Sequence, residues 1–192
     1  MRRLLYIVAP IALVVIVVIG LTQAGGGPDL GDGKDFDVDG AKRELATAPP
    51  PLGGLYAQAN TLIGGGQQAF DAQLAELEGT PVVLNKWASW CGPCQAEFPV
   101  FQQATVTHGK EVAFLGLNSE DKDPAAKSFL DERPLPFPSF TDGDNKIAYS
   151  REIAAGFPMT QFIGRDGKVV FTHSGAYRSE ADLTKDIERY LG

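Results

Sequence analysis

Residues Pro81-Val82-Val83-Leu84-Asn85-Lys86-Trp87 form a short, mostly apolar, β-branched run that leads almost directly into Trp90-Cys91-Gly92-Pro93-Cys94, where the chain keeps its only two cysteines. A run of this kind suits a strand buried on both faces, because a sheet covered on each side accepts near-continuous hydrophobic sequence. The cysteine pair then falls where that strand gives way to the next element. A chain that retains no other thiol is using this pair for chemistry or as a staple. A bridge across two intervening residues closes a very small loop and constrains little unfolded-chain entropy, so redox use is the better reading.

The N-terminus sets the compartment. Residues 4–21 are almost continuously apolar, broken by Pro10 and Gly20 and preceded by Arg2 and Arg3. A membrane span needs roughly 20 apolar residues, whereas a cleaved signal has an apolar region of about 7–15 and a small-residue cleavage site. Thr22-Gln23-Ala24 is a weak cleavage site, and length favours an uncleaved anchor. No cysteine follows the run, which excludes a lipidated signal. The basic pair before the run, with Asp29 and Asp32 after it, places the N-terminus in the cytoplasm and the rest of the chain outside it. Disulfides form and persist there.

Three regions are expected: an anchor over 1–21, a flexible acidic Gly/Pro/Asp linker over 22–54, and a folded domain over 55–192. Within the linker, Asp35, Asp37, Asp39 and Gly40 match half of a calcium loop, but Ala46 stands where the bidentate glutamate belongs, so a solvated acidic segment is the preferred reading. With 17 basic and 24 acidic residues, the net charge of −7 argues against a nucleic-acid partner. The triple glycines at 25–27 and 64–66 lack a preceding strand and a Lys-Ser/Thr partner, and read as linkers or turns.

Phe70, Leu74 and Leu77 share a helical spacing that stops at Gly79. A helix is expected from Gln95 to about His108, with Pro99 kinking it, and a second buried strand over Glu111–Asn118. Asp123-Pro124 reads as an N-cap followed by a proline that opens another helix. Phe137–Thr141 suits a short strand, and Gly164-Arg165-Asp166-Gly167 a hairpin turn between Thr160–Ile163 and Lys168–Ser174. Ser179, three residues before Asp182, opens a last helix that carries Leu183, Ile187 and Leu191 on one face. This order predicts an α/β fold with a mixed sheet and helices on both faces, and sets Cys91 at a helix N-terminus. Unpaired N–H groups there favour a thiolate, making Cys91 the nucleophile, with Cys94 one helical turn deeper as the resolving thiol. Gly92 allows close approach, Pro93 fits a first helical turn, and Trp90 is expected to pack beside the pair and shield it.

These residues together resemble the thioredoxin-fold, membrane-anchored TlpA/ResA-like thiol-disulfide oxidoreductases. The resemblance rests on Val82-Val83-Leu84-Asn85, Trp87-Ala88-Ser89-Trp90-Cys91-Gly92-Pro93-Cys94, Glu97-Phe98-Pro99, Gly156-Phe157-Pro158 and Gly164-Arg165-Asp166-Gly167, over roughly residues 70–192. It implies a thioredoxin-like three-layer α/β/α domain preceded by a transmembrane helix. It also implies a cis bond before Pro158, a substrate groove at Phe157 and Met159, and influence of Glu97 on thiol protonation. On residues alone, Glu97 reads equally well as an acid complementing the helix dipole. Met159 departs from the threonine usual in the family. Asn85 stands where thioredoxin has a buried aspartate. Lys86 replaces a large apolar residue, and its alternation with Asn85 turns it away from the site, as a locally paired or snorkelling side chain.

The implied partners are disulfide-containing proteins, apocytochrome c among them, and an integral-membrane thiol that donates electrons; no cofactor is implied. Gly-Pro between the cysteines favours a reductase. An oxidant or isomerase of the same fold and a redox-inert peptide-binding module are the alternatives. Zinc is disfavoured, since only His108 and His173 could complete a four-ligand site and they show no ligand spacing.

Overall fold

In the computed structural model, which describes residues 31–192, Val82–Trp87 is strand β2 and every one of its residues is buried. Around it the described chain runs α1 (Val38–Leu45), α2 (Leu52–Tyr56), β1 (Leu62–Ile63), α3 (Gly66–Glu76), β2, α4 (Gly92–His108), β3 (Ala113–Ser119), α5 (Asp123–Glu132), β4 (Ser139–Asp142), α6 (Lys146–Ser150), β5 (Met159–Ile163), β6 (Val169–Ser174) and α7 (Glu180–Leu191). The six strands form one sheet in the order β1-β4-β3-β2-β5-β6. The β1, β4, β3 and β2 neighbours pair in parallel, whereas β5 joins β2, and β6 joins β5, antiparallel.

Side-chain alternation along β2 allots its residues to two layers. On one face Asn85 meets Glu97 of α4, and the Trp87 ring sits edge-on to Phe98 of α4 with Phe129 of α5 beside it. On the other face Lys86 reaches the segment that follows α6. Helix α4 also packs against α7, and α3 against α6. The expected mixed sheet between helical layers is therefore present. Gly116 of β3 is needed for close approach, since a Cβ there would collide with the Ser139 side chain, the hydroxyl that accepts the Trp87 Nε1 hydrogen at 3.1 Å.

Most expected elements appear with shifted ends. Helix α4 begins at Gly92, earlier than Gln95, and continues through Pro99. Lys122 rather than Asp123 occupies the N-cap position of helix α5, without a side-chain cap, and Asp123 and the proline lie in the first turn. The hairpin joins β5 to β6 with Gly167 at φ +75°. Ser179 caps α7 by accepting the Asp182 amide.

The expected flexible linker over 22–54 requires correction from residue 31 onward. Asp37 caps α1 by accepting the Gly40 amide at 2.8 Å, and Ala41 and Leu45 of that helix are buried. Gln102 of α4 donates Nε2 to the Gly33 carbonyl at 2.9 Å, and the buried Tyr56 hydroxyl donates to the Val112 carbonyl at 2.6 Å. These contacts fix the segment to the sheet and α4, so a glycine- and aspartate-rich stretch is folded by tertiary contact rather than by its own propensity. Among the described residues no helix is long and apolar enough to cross a membrane; the expected span at 4–21 lies outside them.

Leu45 is fully buried, so Leu45→Ala is expected to lower the free energy of unfolding by about 2–5 kcal/mol in a urea titration. A solvated tether would leave the titration unchanged.

Candidate active site

Where β2 ends, the chain makes a short loop and enters α4 at Cys91, whose extended backbone at φ −85° and ψ 101° is that of an N-cap. Its Sγ accepts the Cys94 amide at 3.2 Å, so the sulfur occupies the place of a capping oxygen among unpaired helix N–H groups. Cys91 and Cys94 are joined as a disulfide, with Cα atoms 5.3 Å apart. Cys91 keeps 4% of its surface exposed and Cys94 none, which makes Cys91 the sulfur an incoming group can reach. Gly92 and Pro93 are exposed over the pair, and Pro93 in the first turn forfeits an N–H that has no partner within the helix.

The approach to Cys91 is held from β3. Asp121, just beyond that strand, accepts the Ser89 amide at 2.6 Å, the Ser89 hydroxyl at 2.9 Å and Asn118 Nδ2 at 3.0 Å. Partial burial would raise its carboxyl, but these hydrogen bonds and the Lys122 amide outweigh it and hold the group below its ordinary value. Trp90 adjoins the pair in sequence and stays largely open to solvent. Its side chain is 57% exposed, pinned by Nε1 donating to the Glu120 carbonyl at 2.9 Å. Its ring lies edge-on to Phe157 with centroids 4.9 Å apart.

The Phe157-Pro158 bond is cis, as expected. Antiparallel pairing matches Lys86 to Met159, so Pro158 falls opposite Trp87, where β2 leaves the sheet toward Cys91. Sequence positions 90, 91, 157, 158 and 159 are thus brought to one end of the sheet. Phe157 and Met159 remain partly accessible there, and Pro158 is buried.

Glu97, one turn beyond Cys94, is wholly buried, which removes the reading of an exposed acid serving only the helix dipole. Its Oε1 accepts Asn85 Nδ2 at 2.8 Å and its Oε2 accepts the Tyr177 amide at 3.1 Å. Burial pushes the carboxyl up to about 8 against the opposing effect of both hydrogen bonds. Among the described residues Asn85 Oδ1 has no hydrogen-bond partner, an acceptor that a protonated Glu97 can serve after the amide turns over. Thr160, whose Oγ1 lies 3.4 Å from Asn85 Nδ2, completes this pocket. Sequence reasoning passed over Asp121, Thr160 and Tyr177. The signals are an acid two residues past an apolar strand and a hydroxyl two residues past Pro158; nothing local marks Tyr177, which acts through its backbone.

Lys86 also differs from expectation. It is fully buried, so it does not snorkel, among the described residues no carboxylate pairs with it, and its Nζ donates to the Ile153 and Ala154 carbonyls, each at 3.1 Å. Burial holds its pKa below the usual lysine value, against the pull of Glu120 and Asp142.

A family model described as Redoxin matches residues 54–187, and the chain belongs to that family. It is 34% identical over 121 residues to a thiol-disulfide oxidoreductase ResA of Oceanobacillus iheyensis, covering 62% of this chain and 59% of that protein. Against the protein of the same name from Bacillus anthracis, identity is 33% over 120 residues, covering 62% and 66%. These matches bear out the resemblance to the TlpA/ResA-like family, although each spans less than two thirds of the relative's length. Among solved structures, a candidate thiol:disulfide interchange protein DsbE from Chlorobium tepidum superposes with a TM-score of 0.57 at 30% identity, covering 62% of this chain and 85% of the other. A secreted Mycobacterium tuberculosis disulfide oxidoreductase homologous to E. coli DsbE gives 0.54 at 28%, covering 60% and 85%.

The Glu97 environment sets a pH dependence. With its pKa raised from 4.5 to about 8, the folded chain binds more protons than the unfolded one between those values, so stability falls as pH rises through that window. The decline is at most about 1.4 kcal/mol per pH unit. Urea unfolding at pH 5 and pH 8 is expected to show this loss in the wild type and a flatter response in Glu97→Gln.

Proposed function

We propose that this Redoxin-family chain is an extracytoplasmic thiol-disulfide oxidoreductase that reduces disulfides in secreted or membrane-associated proteins, with apocytochrome c as the first client to test. The observation that carries this reading is Cys91 Sγ at the N-cap of α4, accepting the Cys94 amide and lying on the accessible side of the pair. In the reduced chain, those N–H groups stabilise negative charge on Cys91, and its thiolate attacks a client disulfide. One client sulfur leaves as a thiolate and takes up a proton, while the other is held to Cys91 as a mixed disulfide. Cys94 then loses its proton, attacks Cys91 Sγ and expels the second client thiolate, ending in the Cys91–Cys94 disulfide. Two electrons have passed to the client.

Glu97 is suited to take the Cys94 proton. A group that titrates near 8 is divided between its forms close to physiological pH, the condition under which proton transfer in both directions is easiest. Phe157, Pro158 and Met159 flank the pair as the wall for an extended client segment, with Trp90 beside Phe157. Gly-Pro between the cysteines, together with the resemblance, favours reduction. Residues 4–21 would anchor the chain in the membrane with its N-terminus cytoplasmic, and an integral-membrane dithiol would restore the reduced state.

Cys94→Ser is expected to accumulate Cys91-linked client adducts on non-reducing gels, and Cys91→Ser none. The couple is expected to equilibrate nearer thioredoxin's roughly −270 mV than the roughly −120 mV of a strong oxidant. A value at the oxidising end would reverse the direction of the reaction. Full function in a chain lacking both cysteines would instead make this a redox-inert peptide-binding module.

A further inference from the structure

Lys86 lies on the face of β2 opposite Asn85 and Glu97, fully buried, yet among the described residues its ammonium is met by carbonyls rather than by a carboxylate. Two N–H groups go to the carbonyls of Ile153 and Ala154, and Nζ stands 3.9 Å from the centroid of the Phe157 ring. A desolvated cation over an aromatic face is attractive as well as tolerated. Among the described residues no main-chain amide reaches either carbonyl, so the lysine supplies the donor that this irregular stretch lacks. The stretch leads from α6 through a left-handed Glu152 to Phe157 and Pro158. Phe157 is thus in contact with both Lys86 and the exposed Trp90 ring.

We propose that Lys86 is a positioning residue for client binding: its ammonium clips segment 153–157 to β2 and props Phe157 against Trp90, fixing the aromatic wall along which an extended, disulfide-containing segment lies. The inference rests on the disulfide-exchange reading above. It gives the aromatic side of the groove a built support made from side chain and backbone, and it predicts that the clip acts on client binding rather than on the sulfur chemistry. An apolar residue of similar volume at position 86 would fill the space but leave the Ile153 and Ala154 carbonyls, the first of them buried, without this donor.

The test uses Lys86→Met in the full chain, since methionine preserves volume and flexibility while removing the donor. With insulin as the disulfide probe and dithiothreitol as electron source, KM is expected to rise about tenfold while kcat stays within about twofold. The pH dependence of Cys91 alkylation by iodoacetamide should keep its midpoint, and exchange of the Ile153 amide, which donates to the Ala148 carbonyl, should accelerate about tenfold or more. Unchanged KM and unchanged exchange would overturn the clip. A displaced Cys91 midpoint with KM untouched would also overturn it, because Lys86 would then act on the thiol through its charge. Should the variant fail to fold, exchange in the wild type decides: an Ile153 amide, which donates to the Ala148 carbonyl at 2.9 Å, exchanging as fast as in an unfolded peptide would refute a fixed segment. A wild-type chain that reduces no insulin would sink the disulfide-exchange reading instead, leaving the exchange comparison to judge the clip on its own.

Discussion

A central strand covered on both faces is the constraint from which the site follows. Every residue of β2 is buried, yet two consecutive positions are polar, Asn85 and Lys86. Neither can be left unpaired without a penalty of about 1–3 kcal/mol or more. Strand alternation sends them to opposite layers, so each must find a partner in a different part of the fold. Asn85 meets Glu97 beneath the cysteines, and Lys86 meets the segment leading to Pro158. The two walls of the site are thereby referenced to the same short strand, one through each face.

The same arrangement explains the unusual state of Glu97. Its two hydrogen bonds favour the carboxylate, but they do not replace the water lost by complete burial, and desolvation prevails. Asn85 matters here because an amide, unlike a carboxylate, can offer either a donor or an acceptor to its neighbour. A second acid at that position would have set two like charges side by side. One acid facing an amide leaves a single group to titrate.

Whatever depended on local pattern was legible in the sequence. The apolar run into the cysteines gave β2 and the entry to α4, Asp-Gly gave the hairpin turn, and Ser179 gave the cap of α7. What escaped depends on register and tertiary contact. Asp121 supports Ser89 only because β2 and β3 pair in parallel and end together. The partners of Lys86 lie in an irregular segment that no periodicity announces. Helix α1 has two buried residues and would be marginal alone; Gln102 and Tyr56, which tie its flanks down, are ordinary residues until their partners are known. The indole of Trp90 is likewise set by a carbonyl across the loop, a partner that an aromatic beside a cysteine does not announce.

The folded N-terminal segment has a spatial consequence. A tether over 22–54 would let the cysteines range widely above a bilayer, but Gly33 and α1 are already fastened to the domain. If residues 4–21 are the anchor, only the stretch 22–30 separates it from the folded part, and a fully extended chain of that length reaches about 30 Å. The disulfide would then work on a short leash, confined to a thin layer next to the membrane.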